Sequence, residues 1–285
     1  MMNRRTFIQR AGVLGTGLML APSAAFSFHK QTGIQLYTLG DLGKDVKGGM
    51  QKVAAAGYKL VETSGYTDAN KFWGLDAKAF RAVLTANNLQ SPSGLYGIDL
   101  KGDFEDLKRF VEAAVTVGQK YIVMPWLFEE WRQNADDYKF LAHKLNEAGE
   151  ITQQANLQMA YHNHDFEFKD FGGQTGYDIL LKETDARLVK MEMDIYWIVR
   201  GGADPVALFK KHPGRFALWH VKDMDKTDLK LNTEIGTGRI DFKKIFASAG
   251  LAGLDYAFVE QENFKMDPYK SIAASAAYLS KELLK

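Results

Sequence analysis

The chain has no cysteine among its 285 residues. Disulfides, thiolate metal ligands and a thiol nucleophile are therefore excluded, and no lipid-bearing cysteine would anchor a processed chain. Net charge is equally scarce: 36 Lys and Arg against 35 Asp and Glu leave +1. That balance gives no global basic field for nucleic acid, although a sum of charges says nothing of a local groove. Beyond the N-terminal region, no run reaches the roughly 18 apolar residues of a membrane span. What remains is a composition with 46% hydrophobic residues, enough for a large core.

The N-terminus reads as an address. Asn3-Arg4-Arg5-Thr6-Phe7 precedes an apolar, Gly/Ala-rich run from Ala11 to Ala21, then Pro22-Ser23-Ala24-Ala25. A charged region, an apolar region and small residues at a cleavage point make a signal peptide. The paired arginines followed by an aromatic resemble the twin-arginine export signal. Residues 1–25 are thus expected to direct export to the periplasm, with 26–32 as linker and 33–285 as the folded unit. An ordinary secretory signal is the alternative. Once the signal is cleaved, no stable membrane anchor is expected.

From residue 33 onward, strand and helix patterns alternate. Strands are expected at 33–39, 59–65, 91–96, 121–126, from 157 into the segment His162-Asn163-His164, and at 188–196, 216–222 and 256–261. The third is the weakest, because Pro92 and Gly94 interrupt it. Helices are expected at 44–56, 76–88, from Asp103 to Val117, 136–155, 177–184, from Asp204-Pro205, from Asp241 to Gly250, and 268–284. Eight such units without a linker argue for an α/β single domain with a parallel sheet. The count favours closure into a (β/α)8 TIM barrel, commonly one domain of about 250 residues.

Four strands in the second half end on metal-ligating residue types: His162, Asp194, His220 and Glu260. They lie 32, 26 and 40 residues apart, about one strand-plus-helix unit each. In a closed barrel these ends share one mouth, where two imidazoles and two carboxylates suit a borderline divalent ion. His164 has the parity of His162 and serves as a neighbour of the site or an acid/base group. Lys222 shares the parity of His220, and Glu62 ends the second strand; both could meet substrate. Glu262 is a weaker candidate, and Glu167 either turns back into the site or lies on the surface. Trp126, Phe128, Trp131 and Trp197 sit on strand-end loops and offer faces for a sugar ring. Gly236-Thr237-Gly238 reads as a turn before a helix, and Lys243-Lys244 as a solvated helix face.

These residues resemble the sugar phosphate isomerase/epimerase superfamily, the xylose isomerase-like or endonuclease IV-like barrels. The resemblance runs from Gly33-Ile34-Gln35-Leu36-Tyr37 to Val259-Glu260. Its most specific pieces are Tyr161-His162-Asn163-His164-Asp165-Phe166-Glu167-Phe168, Asp194-Ile195-Tyr196-Trp197, His220-Val221-Lys222-Asp223 and Gly236-Thr237-Gly238-Arg239-Ile240-Asp241. It implies one divalent ion, Mn2+ or Zn2+, on His162, Asp194, His220 and Glu260. His162 stands where the superfamily commonly has Glu, which moves proton transfer to Glu260, Glu62 or His164.

The expected activity is that of a metal-dependent isomerase or epimerase working through an enediolate next to a carbonyl. Export favours an unphosphorylated sugar or glycoside over a sugar phosphate. The catalytic candidates are Glu260, Glu62, His164 and Lys222. A lyase or hydratase acting on 3-keto-glycosides is the nearest alternative, and a non-catalytic sugar-binding barrel is the rival from another class. No nucleic-acid partner is expected, and a homo-oligomer is compatible with the sequence.

Overall fold

The computed structural model describes residues 28–285 except 41 and 43. The expected export signal at 1–25 lies outside the described residues. Eight parallel strands close into a barrel in chain order: β1 (Gly33–Gln35), β2 (Leu60–Thr63), β3 (Gln90–Leu95), β4 (Tyr121–Met124), β5 (Gln158–His162), β6 (Val189–Asp194), β7 (Leu218–Val221) and β8 (Tyr256–Val259). The last strand pairs with the first, Gly33 opposite Phe258 and Ile34 opposite Val259. The (β/α)8 single-domain reading is therefore correct.

Strand parity divides the residues between two cores. Leu60, Tyr121, Val123, Ala160, Leu218, Tyr256 and Phe258 form one apolar cluster within the barrel. The alternate positions, among them Val61, Ile122, Met191, Trp219 and Val221, join the larger core under the helices. Trp219 shows the outward side, its ring stacked on Phe209 of the helix Pro205–Lys211 at 5.0 Å. The apolar plug leaves the inward positions at the C-terminal strand ends to polar side chains.

Most of the helices start where a side chain caps them. Asp45, Asp76, Asp204, Asp241 and Asp267 each accept a backbone N–H from the first turn of the helix that follows. Asn134 and Thr175 form full capping boxes with Asp137 and Asp178. Among the described residues, no helix is long and apolar enough to cross a membrane.

Several expected boundaries shift, each for a local reason. The first strand stops at Gln35, because the Gln35 side chain accepts the Tyr37 N–H and turns 36–39 into a 3₁₀ helix. The sixth strand stops at Asp194, not at Tyr196, because Asp194 caps a short helix, Ile195–Arg200. Gly250 does not stop the seventh unit's helix: it lies within Ala249–Ala252, and the stop falls at Gly253, where φ is 80°. The expected weak strand at 91–96 forms as Gln90–Leu95, with the register shifting between the pairs Leu60–Gln90 and Glu62–Ser93. Pro92 falls within that irregularity, where a missing N–H costs no ladder bond.

The turn at 236–238 also has a defined role. The buried Asp223 carboxylate accepts the backbone N–H groups of Gly236 and Gly238 at 2.9 Å, Met224 at 2.8 Å and Ile240 at 3.2 Å. It thereby ties the end of β7 to the loop that precedes the next helix. Asp223→Ala leaves these donors without their acceptor, and we expect a loss of about 3 kcal/mol in urea unfolding. A loss below about 0.5 kcal/mol would show that water replaces the carboxylate.

Candidate active site

Five inward-facing carboxylates and imidazoles, from β2, β5, β6, β7 and the end of β8, meet above the apolar plug. His220 on β7 is fully buried at their centre. Its Nε2 lies 2.5 Å from Glu62 Oε2 on β2 and 3.3 Å from Glu192 Oε2 on β6. Its Nδ1 lies 3.0 Å from Glu260 Oε2, one residue beyond β8. His162, ending β5, places its Nδ1 3.1 Å from Glu192 Oε2. Below them Gln35 donates its side-chain N–H to Glu62 Oε2 at 2.8 Å.

Two overlapping groups offer atoms within 4.8 Å of one another: Asp194, His220 and Glu260, and His162, Glu192 and His220. All four residues expected as metal ligands thus fall within one buried constellation. Asp194 divides its carboxylate. One oxygen accepts the Trp197 N–H at 3.1 Å as a helix cap, and Oδ2 is buried with no hydrogen-bond partner. Glu62 Oε1 and Glu192 Oε1 are likewise buried and unpaired. Buried polar atoms are normally satisfied. Orphaned carboxylate oxygens beside an imidazole fit a divalent cation held by oxygen and nitrogen donors.

The electrostatics show the same demand for positive charge. Burial alone would lower His220, yet Glu192, Glu62 and Glu260 hold it well above the ordinary imidazole value. Burial would raise Glu260, but Lys222 and His220 bring it well below the usual carboxylate range. Burial raises Asp194 to about 7 against the pull of Lys222. Burial and the neighbouring Glu62 charge push Glu192 well up, while His220 draws Glu62 down against its own burial. Lys222, 1% exposed, is held above its ordinary value by Glu260, Asp194 and Glu262 despite burial. Burial first, then neighbouring cations, keeps His162 well below the imidazole range and brings His164 to about 3. Both of these imidazoles are neutral at neutral pH.

A cavity of about 480 Å³ opens over this floor and is lined by His162, His164, Lys222, Glu260 and Glu262, with Trp126 and Trp197 as walls. His164 packs against Phe166 and Trp126, and its Nδ1 is buried without a partner. Lys222 Nζ lies 3.4 Å from Glu260, contacts Glu262, and sits 5.3 Å above the Trp197 ring. Glu62 does not line the cavity; it lies beneath His220. Phe128 and Trp131 pack on each other at 5.0 Å and do not line it either.

Glu167 is neither a surface residue nor part of this floor. It is fully buried, accepting the Tyr161 hydroxyl at 2.5 Å and the His164 N–H at 2.9 Å. The residue that sequence reasoning missed is Glu192. Its signal was present: it lies two positions before Asp194 on one strand and therefore faces the same way.

A model of the xylose isomerase-like TIM barrel family matches residues 50–282. An inosose dehydratase of Clostridium botulinum (strain Eklund 17B / Type B) is 28% identical over 244 residues, covering 72% of this chain and 78% of that protein. The crystal structure of a sugar phosphate isomerase/epimerase from Parabacteroides distasonis ATCC 8503 superposes with a TM-score of 0.76 at 29% identity, covering 92% of this chain and 98% of that one. The IOLI protein, solved with a bound zinc atom, shares the fold at a TM-score of 0.69 and 14% identity, over 89% of this chain and 99% of its own.

Burial pushes the Glu167 carboxyl up from 4.5 to about 7, against the donors Tyr161 and His164. The folded chain then binds this proton more tightly than the unfolded chain does. Its contribution is fully present below pH 4.5 and is lost as pH rises to about 7. Glu167→Gln removes the titration. The stability of the native protein relative to this variant should fall by on the order of 3 kcal/mol across that window, as read by urea unfolding at several pH values. A constant difference would place the Glu167 pKa at its ordinary value.

Proposed function

The chain belongs to the xylose isomerase-like TIM barrel family, and from that premise we propose that it is a metal-dependent enzyme acting beside a carbonyl of an unphosphorylated sugar or glycoside. Asp194, His220 and Glu260 would hold the ion, with His162 completing the set. The Nε2 contact with Glu62 leaves Nδ1 of His220 on the side of Glu260, the orientation a ligand histidine takes when a carboxylate behind it fixes the ring. When bound, a divalent ion supplies Lewis acidity to a carbonyl and its neighbouring hydroxyl.

The chain's own groups supply the proton chemistry. Glu260 is ionised and lines the cavity, so it is the base that takes the proton next to the carbonyl. Lys222, charged and 3.4 Å from Glu260, donates to the oxygen of a departing β-hydroxyl or β-alkoxyl. The aromatic walls Trp126 and Trp197 orient an apolar sugar face and exclude water.

One observation carries the choice of outcome: the mouth has an ionised carboxylate and a cation together on the β7–β8 side, and a neutral imidazole, His162, on β5. A base and a proton donor at one place suit elimination or its reverse, the lyase or hydratase reading. The inosose dehydratase relatives support it. Epimerisation needs a second proton carrier on the opposite side. His164 is the group that could serve, through its unpaired Nδ1, and the Parabacteroides distasonis relative supports that second reading.

Mn2+- or Zn2+-loaded protein should therefore place solvent deuterium next to the carbonyl of a keto-sugar in D2O, with loss or gain of water visible by NMR. His220→Ala and Asp194→Ala should each weaken metal retention about tenfold or more in dialysis. Lys222→Met should lower turnover about a hundredfold or more while deuterium exchange persists. A metal-free preparation with full activity would end the reading, and inversion at the exchanging carbon without loss of water would select epimerisation. We also propose that residues 1–25 export the chain. Replacing Arg4 and Arg5 by Lys should then leave it in the cytoplasmic fraction, whereas unchanged export would identify an ordinary secretory signal.

A further inference from the structure

The cavity above the metal-ligating groups does not end at its rim. Tyr37, Ser64 and Gly65 line it and also line a second cavity of about 510 Å³ that continues toward Asn70 and Trp73. The inner cavity alone falls in the range of a complete small-molecule site, roughly 300–1,000 Å³. A single sugar ring over Glu260 and Lys222 has no use for the outer one.

The outer cavity has the features of a built surface. Tyr37 is 59% exposed at the junction, where a large aromatic gains nothing from burial. Its backbone N–H is held by Gln35, whose side chain also donates to Glu62 in the floor, so rim and floor are tied through one residue. On the far side, Trp73 is presented by a loop with two non-glycine residues at positive φ, Lys71 at 47° and Trp73 at 49°. Each such residue costs about 1 kcal/mol or more. The loop is held by Phe72, fully buried and stacked on Phe80 at 4.8 Å, and by the reciprocal backbone bonds of Phe72 and Leu75. Gly65, between the two cavities, has φ 70°, and a Cβ there would meet nothing within 4 Å, so the passage is open. The depression on the other side of Tyr37 shares only Tyr37 and Glu262 with the inner cavity, and Lys222 already occupies Glu262.

We infer that the substrate is a glycoside whose second ring lies in the outer cavity between Tyr37 and Trp73, while the reacting ring sits over Glu260 and Lys222. The aromatic faces match the C–H face of a pyranose or an aryl group, and Ser64 and Asn70 supply polar side chains for its hydroxyls. The inference rests on the carbohydrate reading above and narrows it from a free sugar to a two-ring compound.

Calorimetric titration of the Mn2+-loaded protein with glucose, maltose, cellobiose and trehalose tests it. At least one disaccharide should bind about tenfold more tightly than glucose. Trp73→Ala, a residue that lines the outer cavity and not the inner one, should remove most of that gain while leaving the glucose affinity within about twofold. Trp73→Phe should keep most of it, which guards against loss of the loop fold. Disaccharides binding no better than glucose, or variants that weaken glucose and disaccharide equally, overturn the outer subsite and leave the carbohydrate reading standing. Failure of all four sugars to bind overturns both.

Discussion

Four carboxylates, Glu62, Glu192, Asp194 and Glu260, share a buried space around one imidazole. An ionised carboxylate taken out of water without a counter-charge is among the costliest things a fold can contain. The mouth of this barrel is organised by how that negative charge is offset. Lys222 provides one positive charge and reaches Asp194, Glu260 and Glu262. A proton on Glu192 and one on His220 relieve much of the rest. A divalent ion on Asp194, His220 and Glu260 would do so more directly, because a ring nitrogen that binds a cation no longer needs its proton. The same charge excess therefore explains the buried lysine, the divergent pKa values of Glu62 and Glu192, and the orphaned Asp194 oxygen.

Barrel geometry makes this accumulation feasible. Side chains two residues apart on one strand stack in successive layers of the interior. On β6, Glu192 and Asp194 occupy adjacent layers; His220 on β7 and Lys222, one residue beyond it, do the same. Below them the apolar cluster from Leu60 to Phe258 excludes water and fixes the strands. Above them Asp194 ends its strand and begins a helix, so the backbone that positions the carboxylate is rigid on both sides. Gln35, Glu62 and His220 form a hydrogen-bonded line across the floor from β1 to β7.

Much of this was legible in the sequence because strand alternation and strand-end position are local signals. The eight units, the inward parity of His220 and Lys222, and the meeting of His162, Asp194, His220 and Glu260 follow from period and spacing. The remainder depended on contacts between distant segments. Glu192 sits in Met191-Glu192-Met193, which reads as an apolar strand with one polar residue. Only closure beside Glu62 and His220 shows that its environment is ionic. Glu167 looks like a loop carboxylate until the Tyr161 hydroxyl and the His164 N–H enclose it. Trp73 gives no local hint, since its direction is set by two positive φ angles that no pattern of hydrophobicity encodes. The helix end expected at Gly250 and the strand end expected at Tyr196 moved for a similar reason: Asp194 caps a helix where a strand was still expected, and tertiary packing decides which glycine ends a helix.

Residue 162 shows how one substitution within such a constellation changes the available chemistry. A glutamate at the end of β5 would bring another negative charge beside Glu192, and each neighbouring carboxylate would need a further proton or a stronger cation. Histidine avoids that cost. Its neutral ring hydrogen-bonds Glu192 and adds no net charge, so Lys222 is left to Asp194, Glu260 and Glu262. The consequence is an asymmetric mouth. Ionised base and cationic donor stand together on the β7–β8 side, and neutral imidazoles stand on the β5 side. A two-sided exchange of protons at one carbon favours matched carriers on both faces, whereas expulsion of a neighbouring oxygen favours base and donor within a few ångströms. On the proposed reading, it is this imbalance of charge across the barrel axis, more than any single side chain, that separates elimination from epimerisation in this fold.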